Sequence, residues 1–154
     1  MVAGEADYDD PDVEDAWCEE RLGEVAAYVR DQRIPHRSIG EWPAWHVAPY
    51  VSIWALESAT RPGWVGNWVI CGDLPTDHVG KAEAEDPREA VRAFARRWRE
   101  AAPLMGRGES HAEVMIGRTP EERKSLAPLL QSRAELLARW AEDDEIWEDL
   151  EEDD

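Results

Sequence analysis

The chain has 154 residues, nine tryptophans, two cysteines and a net charge of −18. This length suffices for one domain with its own apolar core, so stability requires no disulfide framework and no structural metal. Cys18 and Cys71 show neither metal-type nor redox-type spacing, and no apolar run approaches the ~20 residues of a membrane-spanning helix. Composition therefore argues against secreted disulfide-rich proteins and membrane proteins. We expect a cytoplasmic protein in which both cysteines are buried as small hydrophobic residues.

The negative charge is concentrated at the two ends of the chain. Residues 1–20 contain nine acids and residues 142–154 contain ten, whereas residues 21–141 are nearly neutral. Such acidic runs repel themselves and are typical of solvated segments. We therefore divide the chain into a disordered acidic arm (1–14), a single domain (15–141) and an acidic tail (142–154). The alternative role for the two acidic segments is to bind a partner or to mimic nucleic acid.

Apolar residues at helical spacing predict a first helix over residues 15–31. The stripe consists of Cys18, Leu22, Val25, Ala26 and Val29. Ile34-Pro35 ends this helix, because proline disfavours the helical conformation of the residue before it.

Two runs rich in β-branched and aromatic residues then predict a β-hairpin. They cover residues 50–58 and 64–71, and the turn-forming sequence at 60–63 separates them. Both faces of each run are apolar, so the hairpin should be covered on both sides and should place Trp54 and Trp68 in the core. A weaker alternation over residues 112–117 indicates a third strand.

Capping signals predict two more helices. Asp86 precedes Pro87, and an apolar stripe follows it: Val91, Phe94, Ala95, Trp98 and Ala102. Residues 119–122 form a capping-box pattern, and leucines at helical spacing continue from there toward residue 141, with Pro128 expected to kink or split the element. Together these elements predict an α+β domain in which an antiparallel hairpin, with or without a third strand, packs against three or four helices.

Three segments resemble a family of small, uncharacterised bacterial proteins. They are WPAWHVAPYVSIW at 42–54, GDLPTD at 72–77 and PLLQSRAELL at 128–137. The resemblance extends from about Trp17 to Trp147. It implies one compact domain and a bacterial source, and it carries no activity to this chain.

One set of residues has the composition of a hydrolytic or metal site. His46, Asp73, Asp77 and His78 supply two imidazoles and two carboxylates, which ligate divalent ions or act as acid and base. No zinc-protease motif, nucleophile elbow or phosphate loop accompanies them, and an Asp in a Pro-containing turn commonly bonds its own backbone. We therefore favour a structural role for these residues and expect no bound metal and no cofactor.

Two other groups are candidates for binding. Trp42 and Trp45 flank a proline in a loop, so they are the tryptophans that we expect on an exposed recognition surface. An aromatic cage or sugar platform is the alternative arrangement of the tryptophans. Arginines recur at helical spacing along the second predicted helix and form a basic ridge: Arg88, Arg92, Arg96 and Arg99. We interpret this ridge first as a solvated surface and second as a dock for the tail or for an acidic partner. The acidic ends repel nucleic acid, so direct nucleic-acid binding is not expected.

The acidic tail keeps large apolar residues that a plain solubility segment does not need. Ile146, Trp147 and Leu150 continue the apolar edge of the last helix. We therefore predict that residues 142–150 are ordered by contact with the body or a partner, mainly through Trp147, and that residues 151–154 are mobile.

These observations favour a non-enzymatic cytoplasmic interaction protein, such as an inhibitor or an immunity-type partner. It would bind another macromolecule, an unknown protein partner, through the Trp loop and the acidic arms. The alternative is a small metal-dependent hydrolase that uses His46, Asp73, Asp77 and His78, and a third candidate is a ligand-binding module with a Trp-lined pocket. Geometry discriminates between them, because an enzyme requires the four His and Asp side chains to converge in one cleft.

Overall fold

The computed structural model describes residues 7–114 and 116–147. Its elements in chain order are α1 (Pro11–Gln32), β1 (Trp45–Val47), β2 (Val51–Glu57), β3 (Val65–Gly72), β4 (Leu74–Gly80), α2 (Pro87–Gly106) and α3 (Pro120–Ala141). A helical turn over residues 144–147 follows α3. The architecture is α+β, as predicted. None of the helices in the described ranges combines the length and the hydrophobicity that crossing a membrane requires.

The four strands form one antiparallel sheet in the order β1-β2-β3-β4, so every strand pairs with its neighbour in sequence. The predicted hairpin is its centre. The predicted third strand is wrong, because no strand occurs in residues 112–114 or 116–117. β4 instead occupies residues that we interpret from sequence as a turn. It contains Pro75, which an edge strand tolerates because one side of its backbone has no partner in the sheet.

Helices cover both faces of the sheet, as the apolar faces of the hairpin predict. On one face, Ile53 and Ile70 pack against α2 and α3. On the other face, Trp54 and Val69 pack against Val25 and other residues of α1. Because successive residues of a strand point to opposite faces, β2 and β3 supply both cores at once.

Local capping fixes where α1 begins. The Asp10 carboxylate accepts a hydrogen bond from the Asp12 amide at 2.9 Å, and Pro11 occupies the first helical turn. These are the signals that mark α2 correctly, and they place the start of α1 at Pro11 rather than near Asp15. Residues 11–14 of the predicted disordered arm are therefore helical, while residues 1–6 lie outside the described residues.

The caps of α2 and α3 follow the sequence prediction. Asp86 and Thr119 accept hydrogen bonds from the amides three residues later, at 2.8 and 3.1 Å. Pro128 does not split α3, which is continuous from Pro120 to Ala141. Pro128 lies on the exposed side of the helix, where water can bond the carbonyl that has lost its N–H partner.

Replacing Trp54 or Trp68 with alanine should lower the free energy of unfolding by about 3 to 5 kcal/mol. Each ring is buried, and each indole N–H has an acceptor, Ser52 Oγ for Trp54 and the Ala84 carbonyl for Trp68. Trp64→Ala is the matched control, because Trp64 is 55% exposed and its loss should change stability by only about 0.5 kcal/mol. Urea unfolding followed by circular dichroism compares the three variants. Equal losses at Trp54 and Trp64 would contradict a core position for the hairpin.

Candidate functional site

The structure does not bring His46, Asp73, Asp77 and His78 together. His46 Nε2 is 2.8 Å from Glu14 Oε1 in α1. Asp73 is exposed at the turn before β4 and pairs with Arg133 of α3 at 3.1 Å. Asp77 and His78 are consecutive in β4, so they point to opposite faces of the sheet. Within residues 7–114 and 116–147, no group of three His, Cys, Asp or Glu side chains is placed to hold a metal ion.

Asp77 is a buried carboxyl group that faces α2. It is 2% exposed. Its Oδ2 accepts a hydrogen bond from Trp98 Nε1 at 2.9 Å, and its Oδ1 accepts one from the His78 amide at 2.8 Å. Burial raises the pKa of Asp77 to about 6, although the two hydrogen bonds oppose the shift. Asp77 therefore has a structural role, because it accepts the hydrogen bond of the fully buried indole of Trp98.

His78 faces α1 and bonds Tyr28. The Tyr28 hydroxyl lies 2.8 Å from His78 Nδ1. Burial lowers the pKa of His78, and it raises the pKa of Tyr28. Both shifts favour the neutral forms, so the hydroxyl donates to an unprotonated ring nitrogen. The pair joins α1 to β4 across the face opposite Asp77.

Asp77 should make the folded protein less stable as pH rises. Its folded pKa of about 6 lies above the ordinary value of 3.8, so between these values the folded state keeps a proton that the unfolded state has lost. Asp77→Asn removes this effect, because asparagine does not titrate. The free energy of unfolding of the variant minus that of the parent should therefore increase from about pH 4 to about pH 7.

Denaturant unfolding of both proteins over this pH range measures the difference. The lowered pKa of His78 acts in the opposite sense, but His78 is present in both proteins, so its contribution largely cancels. Asp73→Asn is the control, because the carboxylate of Asp73 is exposed. The difference in unfolding free energy between this variant and the parent should change much less over the same pH range. A difference for Asp77→Asn that stays constant with pH would contradict the raised pKa.

Trp42 and Trp45 have different environments. Trp42 is 45% exposed, as predicted, but Trp45 is 6% exposed, so the prediction of an exposed Trp45 is wrong. Trp45 begins β1 and contacts Trp140 of α3 edge-on, and its ring stacks on Trp147, in the turn after α3, with centroids 4.3 Å apart. The short strand β1 was not recognised in the sequence. Because successive side chains of a strand point to opposite faces, β1 directs Trp45 into the core and His46 to the other face.

Trp42 belongs to a second aromatic group, on the α1 side of the sheet. The His46 ring contacts Trp42 edge-on at 5.8 Å and stacks against Trp17 of α1 at 6.3 Å between centroids. The bond from His46 to Glu14 attaches the same ring to the acidic half of α1. We call this area the α1–Trp42 surface, which comprises Trp42, His46 and the exposed acids of residues 7–24.

The arginine ridge binds the beginning of the acidic tail. Arg88 donates to the Ala141 carbonyl at 2.7 Å and to Asp144 at 2.6 Å. Arg92 donates to Glu142 at 3.1 Å, and it also pairs with Glu89 in its own helix. Half of the ridge is therefore an intramolecular dock, which is the second of the two interpretations drawn from the sequence.

Trp147 fixes the docked segment against the body. Its ring is buried between Trp45 and the guanidinium of Arg88, and its indole N–H donates to the Trp140 carbonyl at 2.9 Å. Residues 142–147 therefore contact the body, as predicted, and the ordering of this segment stays a prediction. The predictions for residues 148–150 and 151–154 fall outside the described residues.

Trp147→Ala should release residues 142–147 from the body. Faster amide hydrogen exchange in this segment is the expected result, together with a loss of global stability of up to about 3 kcal/mol. Asp144→Ala is the control, since exposed ion pairs contribute at most about 1 kcal/mol. A larger effect from Asp144→Ala than from Trp147→Ala would show that charge, rather than the ring, holds the segment.

Two more large side chains are exposed, Tyr50 (50%) and Trp64 (55%). Both residues fall inside the strands predicted over 50–58 and 64–71, whereas in the structure each directly precedes a strand. Trp64 lies at the tip of the central hairpin, where the Arg61 guanidinium sits 4.0 Å from its ring centroid. Tyr50 lies at the opposite end of the strands, beside Trp140.

Comparison with protein families adds one finding to this geometry. A family described as a domain of unknown function (DUF4826) matches residues 12–147. The chain belongs to this family. No curated protein matches the chain, and no solved structure matches it. The DUF4826 match begins in the first turn of α1 and ends at Trp147, so it includes the acidic half of α1 and the docked segment. This confirms the expected uncharacterised family covering nearly the whole chain.

Proposed function

We propose that the protein is a non-enzymatic interaction protein, of the inhibitor or immunity type, that binds a basic surface of a protein partner through the α1–Trp42 surface. The observation that carries the proposal is the position of His46. Its ring contacts Trp42 and Trp17, and its Nε2 bonds Glu14. An exposed tryptophan is thereby attached to the most acidic part of the described chain.

The charge of this surface selects the kind of partner. Residues 7–24 contain nine acids and one base, and eight of these acids are exposed. The single base, Arg21, pairs with Glu20 and Glu24 within α1. A dense negative surface steers a basic partner during association, and a central tryptophan supplies the apolar contact that typically dominates affinity.

The competing functions have less support from the geometry. The hydrolase alternative needs His46, Asp73, Asp77 and His78 in one cleft. Asp73 bonds α3, Asp77 bonds α2, and the two histidines bond residues 14 and 28, which lie far apart along α1. The Trp-lined pocket needs clustered rings around a cavity, but Trp54 and Trp68 fill the cores on the two faces of the sheet. An exposed Trp42 on an acidic surface fits recognition of another macromolecule better than either alternative.

We place the protein in the bacterial cytoplasm. Cys18 and Cys71 are buried free thiols, which suits a reducing compartment. The bacterial source follows the resemblance of the segments at 42–54, 72–77 and 128–137. Partner capture is therefore best attempted from a bacterial lysate.

Trp42→Ser should weaken partner binding by about thirtyfold or more, because an exposed tryptophan at an interface centre contributes about 2 kcal/mol or more. Trp64→Ser is the matched control, since it removes a tryptophan of similar exposure at the hairpin tip. Affinity capture with mass spectrometry identifies partners of the parent, and titration calorimetry then compares the variants.

Charge is tested separately with Asp15→Lys and Glu19→Lys on the exposed side of α1. These changes should slow association and reduce its dependence on salt. If a partner still binds the Trp42→Ser variant but no longer binds the Trp64→Ser variant, the binding surface lies at the hairpin tip instead. Turnover of a captured molecule by the parent would overturn the non-enzymatic function itself.

A further inference from the structure

A groove of about 370 Å³ runs between α2 and α3. Arg92, Arg96 and Arg99 line it together with Glu100 and Glu142, over small alanine side chains of both helices. Because the three arginines recur at i, i+4 and i+7, they share one side of α2. The groove therefore offers a row of guanidinium groups above an apolar floor that is shallow enough for a polypeptide backbone to approach.

One half of the arginine ridge shows which chemistry the ridge accepts. Glu142 lies on Arg92 at 3.1 Å, and the next ridge residue, Arg88, binds the carbonyl of Ala141 and the carboxylate of Asp144. This filled half, at Arg88 and Arg92, holds an acidic segment through two carboxylates and one main-chain carbonyl. Arginine is suited to both acceptors, because its planar guanidinium presents several donors at once.

The other half of the ridge, at Arg96 and Arg99, lines the groove with the same donors and holds no such segment of the described chain. Arg96 and Arg99 are exposed. Within residues 7–114 and 116–147, neither lies within ion-pair distance of a carboxylate, whereas Arg88 and Arg92 both do. Glu100 lines the same part of the groove, but its carboxylate is 3.5 Å from His111 Nε2. We call this part the open half.

The path of the docked segment leads away from the open half. Glu142 sits at Arg92 and Asp144 sits at Arg88, so the chain advances toward the first turn of α2. It then reaches the sheet, where Trp147 stacks on Trp45 of β1. The described chain thus leaves the groove in the direction opposite to Arg96 and Arg99.

We propose that the open half binds a short acidic segment of a partner protein, in the manner in which the filled half binds residues 141–144. The site lies on α2 and α3, across the sheet from the α1–Trp42 surface, so it does not depend on the function proposed for that surface. The net charge of −18 does not prevent such binding. Residues 21–141 are nearly neutral, and physiological salt limits repulsion from the acidic ends to about 8 Å.

The test uses the full chain and a fluorescein-labelled oligo-glutamate peptide, with binding followed by fluorescence anisotropy at low and physiological salt. The double variant Arg96→Ser with Arg99→Ser should weaken binding about tenfold, since each exposed charge pair contributes up to about 1 kcal/mol. Arg96→Lys with Arg99→Lys keeps the charge and should lose less. Arg30→Ser with Arg37→Ser removes two exposed arginines elsewhere and should leave binding unchanged.

Three further arms separate other occupants. Residues 148–154 contain six acids, so a variant with these acids replaced by their amides tests the chain's own tail. If the peptide binds only to that variant, the tail occupies the site and the partner proposal is overturned.

Sedimentation velocity tests whether a second copy of the chain occupies the site. Dimers that form with rising concentration in the parent, but not in the Arg96/Arg99 serine variant, would assign the site to a second copy. A single-stranded oligonucleotide that binds the same arginines more tightly than the peptide would assign it to nucleic acid. Absence of peptide binding at both salt concentrations would also overturn the proposal.

Discussion

The fold depends on a sheet that is dry on both faces. β2 and β3 send alternate side chains into two cores, so any helix that covers only one face leaves the other exposed to water. α2 and α3 cover one face together, while α1 alone covers the other. This requirement explains why α1, which is acidic along its N-terminal half, remains attached to the domain. Its apolar residues close a core that neither α2 nor α3 reaches.

The dry sheet also explains the polar residues buried within it. An indole N–H that is taken out of water needs an acceptor, because an unsatisfied buried donor costs about 1 to 3 kcal/mol. Ser52 accepts from Trp54, and Asp77 accepts from Trp98. Both acceptors are therefore consequences of placing tryptophan in the interior. Burial raises the pKa of Asp77 to about 6. Its residue type alone is what makes this structural carboxyl group resemble a catalytic one in the sequence.

Local signals in the sequence predicted the parts of this fold that local interactions determine. The caps at Asp86 and Thr119, the helical stripes and the central hairpin depend on neighbours within a few residues. The edge strands depend on pairing partners instead. β1 has three residues and β4 contains a proline, so neither has a pattern that distinguishes it from a loop. The α1–Trp42 surface was equally hidden, because the bond that joins its parts links Glu14 to a residue 32 positions away.

The separation of the four His and Asp residues follows from the same geometry. Asp77 and His78 are adjacent in sequence. In a loop, two neighbouring side chains can face the same site, whereas in a strand they point to opposite faces of the sheet. Once β4 pairs with β3, the pleat directs Asp77 toward Trp98 and His78 toward Tyr28. A single assignment of secondary structure thereby changes the meaning of the residues, from a shared site to two structural contacts on opposite faces.

The distribution of charge across the sheet is the last consequence of this architecture. α1 places its carboxylates on one side, and α2 places four arginines in a row on the other. The chain neutralises two of these arginines with its own residues 142 and 144, and the contact is held by the stacking of Trp147 on Trp45 rather than by the ion pairs alone. Because salt screens ion pairs and not the packing of a buried ring, we expect the position of the segment to depend little on salt and the carboxylates mainly to set its orientation. The protein consequently presents an acidic surface at α1 and a row of arginines at α2, separated by an apolar sheet that holds them in a fixed relation.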